Sequence, residues 1–316
     1  MIVPRLIGLA ALVAIATATP VRAQSGPDIP FAADQDTALK DPDNPEKKFR
    51  IDFARVEAEA PLTRQQLMSI TPEYVKTLSQ ERVDQIYGRI TAGPIPDGKY
   101  FGDLFFALGD SITPKMDFAP RIQEIFGGLE GRLAGLAADR LEKLGREMWK
   151  GKVFSRNERV LRNMIEDKPI IRLITDNRLS IKKETVPRDW LLSGSYRQNT
   201  VWLLFPAKLY CGQSLLDGRR ESVIVDYNYS DDGTVTGYRK SPDSLAGRGG
   251  LRIRDEIRMV RPGFYLGRAY TNRMFLLNFT LFNAEVANRD GPAFAAGGPV
   301  AEDCWPGEQA RKTVAR

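Results

Sequence analysis

Apolar residues along this chain follow two different periods. Over residues 61–150 they recur at every third and fourth position, as on one face of a helix. From Gly151 to Asn283 they alternate with polar residues, as on a strand with one buried face. The first firm helix begins at Thr71-Pro72-Glu73, an N-cap followed by proline at the first helical position. Its stripe of Tyr74, Val75, Leu78, Val83 and Ile86 runs to about Tyr87. The turn-rich residues 91–102 then lead into an extended run from Tyr100 to Leu108. A second helix fits Ala119 to Met148, where Ile122, Ile125, Phe126, Leu129, Leu133 and Leu136 share a face; Gly127, Gly128, Gly131 and Gly135 imply a kink or close packing.

Six strands are expected after that: Pro169–Lys183, Asn199–Gly212, Glu221–Ser230, Leu251–Val260, Phe264–Asn272 and Arg273–Asn283. The turn clusters D-N-R, D-G-R-R, S-D-D-G, R-P-G and T-N-R separate most of them. Strands following one another without helices between them predict an antiparallel sheet that curls or closes. The expected class is α+β, an antiparallel β-barrel or curled sheet of about six to eight strands with two N-terminal helical segments packed on it. Residues 151–283 form the β-rich domain. Residues 24–60, with D-P-D-N-P-E-K-K at their centre, read as a flexible leader, and residues 284–316 as a Gly- and Pro-rich tail held by Cys304 and Trp305.

Residues 1–23 carry the three parts of a secretory signal peptide: Arg5, the short apolar run Leu6 to Ala18, and Val21-Arg22-Ala23 before the cut. The other reading, a membrane anchor or buried first helix, conflicts with Pro20, Pro27 and Pro30 and with an apolar run short for a bilayer. The expectation is an exported, periplasmic protein with no transmembrane anchor once the signal is removed. Loss of Arg5 and Arg22 lowers the formal charge from +6 to +4. Acidic residues are interleaved throughout, so nucleic acid is not an expected partner. The two cysteines, Cys211 and Cys304, are expected to pair in an oxidising compartment; two separate thiols are the alternative.

No histidine occurs in the 316 residues. Phe105 to Thr113, F-F-A-L-G-D-S-I-T, looks like the first block of the Gly-Asp-Ser esterases, but those enzymes resemble other serine hydrolases in needing an imidazole base. Ser111 has none, so it is expected to be no nucleophile. The same absence removes histidine-ligated metal and haem sites, and no cofactor or metal is expected.

The hairpin 251–272 carries the candidate site. Alternation places Leu251, Ile253, Asp255, Ile257 and Met259 on one face, with Arg252, Arg254, Glu256 and Arg258 on a solvated outer face beside Val260. A turn centred on Pro262-Gly263 pairs Val260 with Tyr265, and counting outward sets Asp255 opposite Tyr270 and Ile257 opposite Arg268. Asp255, Arg268 and Tyr270 then form a polar island on the inner face. It is either a structural ion pair or the polar end of a ligand pocket. D-Y-N-Y-S-D-D-G at 226–233 begins like a calcium loop, but it has Asp231 where glycine is required and Gly237 in place of the final glutamate. G-R-G-G at 247–250 lacks the strand and helix of a phosphate loop.

Gly98-Lys99-Tyr100-Phe101-Gly102 resembles the G-x-W-x-G signature of an uncharacterised protein family, with tyrosine in place of tryptophan. Met148 to Phe154, M-W-K-G-K-V-F, resembles its W-x-G-K-x-F block. Ile253, Asp255, Ile257, Arg258, Val260, Leu266 and Gly267 match, in order, the I-x-D-x-F-R-x-V and L-G segments of that family's C-terminal partner domain, with Ile257 in place of phenylalanine, and Val225-Asp226-Tyr227 sits where that domain has a similar strand. The resemblance implies a compact β-rich fold and no particular reaction.

The expected function is binding of a small apolar or amphipathic molecule, lipid-like, in the barrel, with Asp255, Arg268 and Tyr270 at the polar end. The alternatives are an acid–base enzyme with Asp255 as base and Tyr270 as acid, and an envelope scaffold whose arginine-rich outer face meets a partner.

Overall fold

The computed structural model describes residues 26–32, 51–107, 147–166, 201–229 and 252–308. Their centre is a closed antiparallel barrel of eight strands, each paired with its neighbours in sequence, with the last pairing back to the first. The strands are β1 (Gly98–Phe105), β2 (Trp149–Ser155), β3 (Val160–Glu166), β4 (Val201–Gln213), β5 (Glu221–Asp226), β6 (Ile253–Arg261), β7 (Phe264–Thr271) and β8 (Met274–Phe282). Closure sets Phe101 opposite Phe282 and Phe105 opposite Asn278, so neither end strand is left with an unpaired edge. β1 covers most of the extended run expected from Tyr100, whereas β2, which begins inside the last two residues of the segment expected to be helical, and β3 were not among the expected strands.

Among the described residues four short helices precede the barrel: α1 (Phe53–Glu59), α2 (Arg64–Ser69), α3 (Pro72–Lys76) and α4 (Gln80–Arg89). The expected cap at Thr71 is present, its side chain accepting from the Tyr74 N–H at 3.1 Å. The single helix expected from there to Tyr87 is two, because Thr77 closes α3 and the Ser79 hydroxyl caps α4. α1 lies inside the supposed flexible leader. It forms because Asp52 caps it, and it is held by Phe53 and Val56, both buried. The supposed tail likewise contains a helix, α5 (Ala284–Ala295), capped by Asn283. The signal peptide, the second helix at 119–148 (all but its last two residues), the strand at 169–183, Ser111 and residues 247–250 lie outside the described residues.

Two apolar cores result. The inner one fills the barrel with Tyr100, Phe154, Leu161, Leu209, Val223, Ile257, Met259, Tyr265 and Phe279 among others. Gly267 has no side chain because the Phe279 ring lies against it; a Cβ there would meet that ring at 2.2 Å. The outer core joins Ile70, Val75, Val83, Ile86 and Tyr87 of the helical region to Phe105, Val260, Phe264 and Leu266 on the outside of the sheet. Cys211 and Cys304 form a disulfide, as expected. It fastens the residues after α5 to β4, where Trp305 also exchanges backbone and side-chain hydrogen bonds with Glu221.

Candidate functional site

The β6–β7 hairpin turns where the sequence indicates. Arg261 pairs with Phe264 around Pro262-Gly263, and Gly263 takes φ 77°. Immediately beyond, Val260 is an extra residue, so Met259 rather than Val260 pairs with Tyr265. Such a bulge moves every later pair by one and exchanges the faces. Asp255 therefore opposes Ala269, and Glu256 opposes Arg268. Asp255 points into the barrel as expected, whereas Arg268 and Tyr270 lie on the outer face, and the three-residue island does not exist.

On that outer face Arg268 pairs with Asp84 of α4, and its Nε donates to the Tyr270 hydroxyl at 2.9 Å. Of the face expected to be solvated, Arg252 is exposed and Arg254 half-buried, but the rest is covered. Arg258 and Glu256 are fully buried, Arg258 donating to Ser222 Oγ and to the carbonyls of Tyr87, Asp217 and Arg220. Glu256 accepts from the Leu215 N–H and pairs with Arg254. The scaffold reading keeps Arg252 and part of Arg254 at the surface but loses Arg258, and the enzyme reading loses its pair, because Asp255 and Tyr270 are on opposite sides of one sheet. The calcium-like segment begins with an ordinary turn: Asp226 accepts from the Tyr210 hydroxyl and from the Asn228 N–H.

Inside the barrel, the partner of Asp255 is Lys152, at 2.9 Å. Lys152 also donates to Tyr227 Oη at 2.6 Å and to Asn163 Oδ1 at 2.9 Å, while the Trp149 indole N–H reaches the same Asn163 oxygen at 2.8 Å. Tyr227 Oη lies 3.2 Å from Asp255 Oδ2. The rings of Trp149, Tyr227 and Phe279 surround the ammonium at 5.3–5.4 Å. Burial pulls the Lys152 pKa down against the opposing pull of Asp255, and burial, with Asp255 beside it, pushes the Tyr227 phenol well up. All three ammonium protons are engaged, and the charges of Lys152 and Asp255 balance. An ammonium held this way is neither a nucleophile nor a free cation.

Lys152, Asn163 and Tyr227 were absent from the site expected from sequence, although alternation marks them. Lys152 shares a face with Phe154, Asn163 with Leu161, and Tyr227 with Val223 and Val225. The segments 148–154, 225–227 and 253–267 supply Lys152, Tyr227 and Asp255 respectively.

A cleft opens at the end of the barrel where β1 begins. With a volume of 970 Å³, it runs between α5 and the barrel, floored by Tyr100, Met259 and Tyr265 and walled by Phe282, Val286, Phe294 and Val300. Tyr265 donates to the Pro94 carbonyl at 2.6 Å, so its hydroxyl is satisfied. The charged residues on the walls are Lys99, Arg156 and Arg289 against Asp97, Glu285 and Asp290. Lys99 lies over the Phe101 ring at 4.3 Å, and burial lowers its pKa. The C-terminal wall is fixed from below: Asp303 accepts from the Ile95 N–H at 2.8 Å, and Glu302 accepts from the Gly93 N–H at 2.9 Å. No protein-family model, curated protein or solved structure matches this chain.

Proposed function

We propose that this α+β protein binds a small, largely apolar molecule, and that the cleft between α5 and the barrel mouth is where it does so. The observation that carries the reading is the cleft itself: its 970 Å³ lies at the upper end of the range of about 300–1,000 Å³ typical of ligand sites, and aromatic and aliphatic side chains form its floor and one wall. A barrel of eight strands has an interior that side chains alone can fill, and here the inner core and the Lys152 network occupy it, so a mouth site takes the place of an internal one. The blocks shared with the G-x-W-x-G family contribute to that interior, which supports grouping the chain with a β-rich fold of that kind. The disulfide and the N-terminal signal pattern support an oxidising, periplasmic setting.

The test uses the neutral fluorescent probe N-phenyl-1-naphthylamine. Ala293 lines the cleft and is exposed, so Ala293→Trp fills the space without disturbing either core. Saturable binding weakened about tenfold or more by Ala293→Trp, with an unchanged melting curve, is the expected result. Equal binding by both proteins rules the cleft out.

A further inference from the structure

Two side chains that line the cleft, Tyr100 and Arg156, carry donors that no described residue accepts. Tyr100 is 3% exposed, packed edge-on against Phe154 and Tyr265, yet its hydroxyl has no hydrogen-bond partner among the described residues. Tyr100 and Arg156 lie on the same cleft, with Asp97 and Arg289 also on its lining. Arg156 donates its Nε to the Ile95 carbonyl at 2.5 Å and its main-chain N–H to Asp97 Oδ1 at 3.0 Å. Its two terminal nitrogens, Nη1 and Nη2, make no hydrogen bond or ion pair with the described residues.

We infer that Arg156 and Tyr100 together receive the carboxylate of an amphipathic monocarboxylic acid, whose apolar body lies along Phe282, Val286 and Phe294. This rests on the cleft reading above and adds the headgroup to it. With Nε held by Ile95, the guanidinium presents the fork of Nη1 and Nη2, which matches the two oxygens of one carboxylate, and the phenol adds a third donor. A planar fork fixed from behind loses little freedom on binding, which is the advantage of arginine over lysine for such a group. The acidic wall residues do not compete for these donors. Asp290 is paired with Arg289 at 2.8 Å, Asp97 accepts the main-chain N–H of Arg156, and Glu285 is exposed in the first turn of α5, four residues from Arg289. A neutral molecule of the same shape would leave the guanidinium fork unmatched.

The experiment compares dansyl-labelled undecanoic acid with its methyl ester on the purified full chain. The acid is expected to bind about tenfold more tightly than the ester, the worth of one charge-assisted contact. Tyr100→Phe, which keeps the ring and its packing, and Arg156→Met should each bring the acid close to the affinity of the ester while leaving the ester unchanged. Tyr100→Phe keeps the test decisive if Arg156→Met disturbs the segment at Ile95. Equal binding of acid and ester, or acid binding indifferent to both variants, overturns the carboxylate assignment and leaves the cleft reading standing. Binding of neither probe overturns both.

Discussion

Lys152 and Asp255 bring opposite charges into a barrel otherwise filled by aromatic and aliphatic side chains, and neither is tolerable alone. Asp255→Ala would leave an ammonium buried without its counter-charge, at a cost of about 3–5 kcal/mol. Lys152→Met combined with Asp255→Leu removes both charges and should recover most of that loss. Urea melts of the two single variants and the double variant check this; an additive double variant would show that the ion pair does not couple the two positions. Five buried phenols, Tyr87, Tyr100, Tyr227, Tyr265 and Tyr270, are raised above the ordinary value of 10.0 chiefly by burial, Tyr100 and Tyr270 to about 12. Each favours the protonated form in the folded state, so its contribution is complete below pH 10 and is lost as pH rises through the raised value, about 12 for Tyr100 and Tyr270. Arg89, Lys99, Lys152, Arg258 and Arg261, lowered by burial, act in the opposite sense and offset part of that loss. The phenols' share of stability should therefore fall between those values, and phenolate absorbance should complete its rise only as the circular dichroism of the fold disappears. Full phenolate absorbance near pH 10 with the fold intact would contradict the burial of these rings.

Among the elements, the cap of α5 has the most direct link to the cleft. Asn283 Oδ1 accepts from the Val286 N–H at 3.0 Å, while its Nδ2 donates to the Lys99 carbonyl on β1, also at 3.0 Å. One side chain thus starts the helix and ties it to the barrel. Asn283→Ala should cost about 1–2 kcal/mol in a urea melt and speed proteolysis within α5, whereas Asn283→Asp, which keeps the cap, should restore the helix start. How well each element could be read in advance followed from how one-sided its burial is. Alternation in β6 places Asp255 inward correctly because Ile257 and Met259 share its face. In β7 the pattern is ambiguous: F-Y-L-G-R-A-Y-T is buried along its whole length, since the helices cover the outside and the core fills the inside. With apolar residues on both faces, no pattern reports the extra residue at Val260, and a correct turn leads to a wrong register. For the same reason Glu256 and Arg258 read as solvated when helices lie over them. α1 and α5 were missed because each is short and set in Pro-, Gly- or charge-rich sequence, where caps at Asp52 and Asn283 are the only local signal.

At the scale of the whole molecule, the barrel was legible from the succession of turn-separated strands, and the cleft was not, because its walls come from segments nearly two hundred residues apart. The disulfide holds one of those walls. It spans 93 residues, and closing such a loop is worth about 4–5 kcal/mol in the chain-entropy model. Reduction, or Cys211→Ser with Cys304→Ser, should lower the unfolding midpoint by an amount of that order and weaken probe binding at the cleft before the barrel melts. Simultaneous loss of both signals would show that the wall is not separable from the barrel.

Ring closure has a consequence in time as well as in space. β8 completes the sheet by pairing with β1, the strand laid down first, so the final hydrogen-bonded seam joins Gly102 to Leu281 and Phe105 to Asn278. Contacts so distant in sequence carry a large chain-entropy cost before they return any stability, and folds dominated by them form slowly. A chain that has formed β1 through β7 has two free sheet edges, and β8 is the strand that joins them. Until it docks, both edges stay exposed. This chain's exposure to misassociation is therefore greatest late in folding and vanishes when the seam closes.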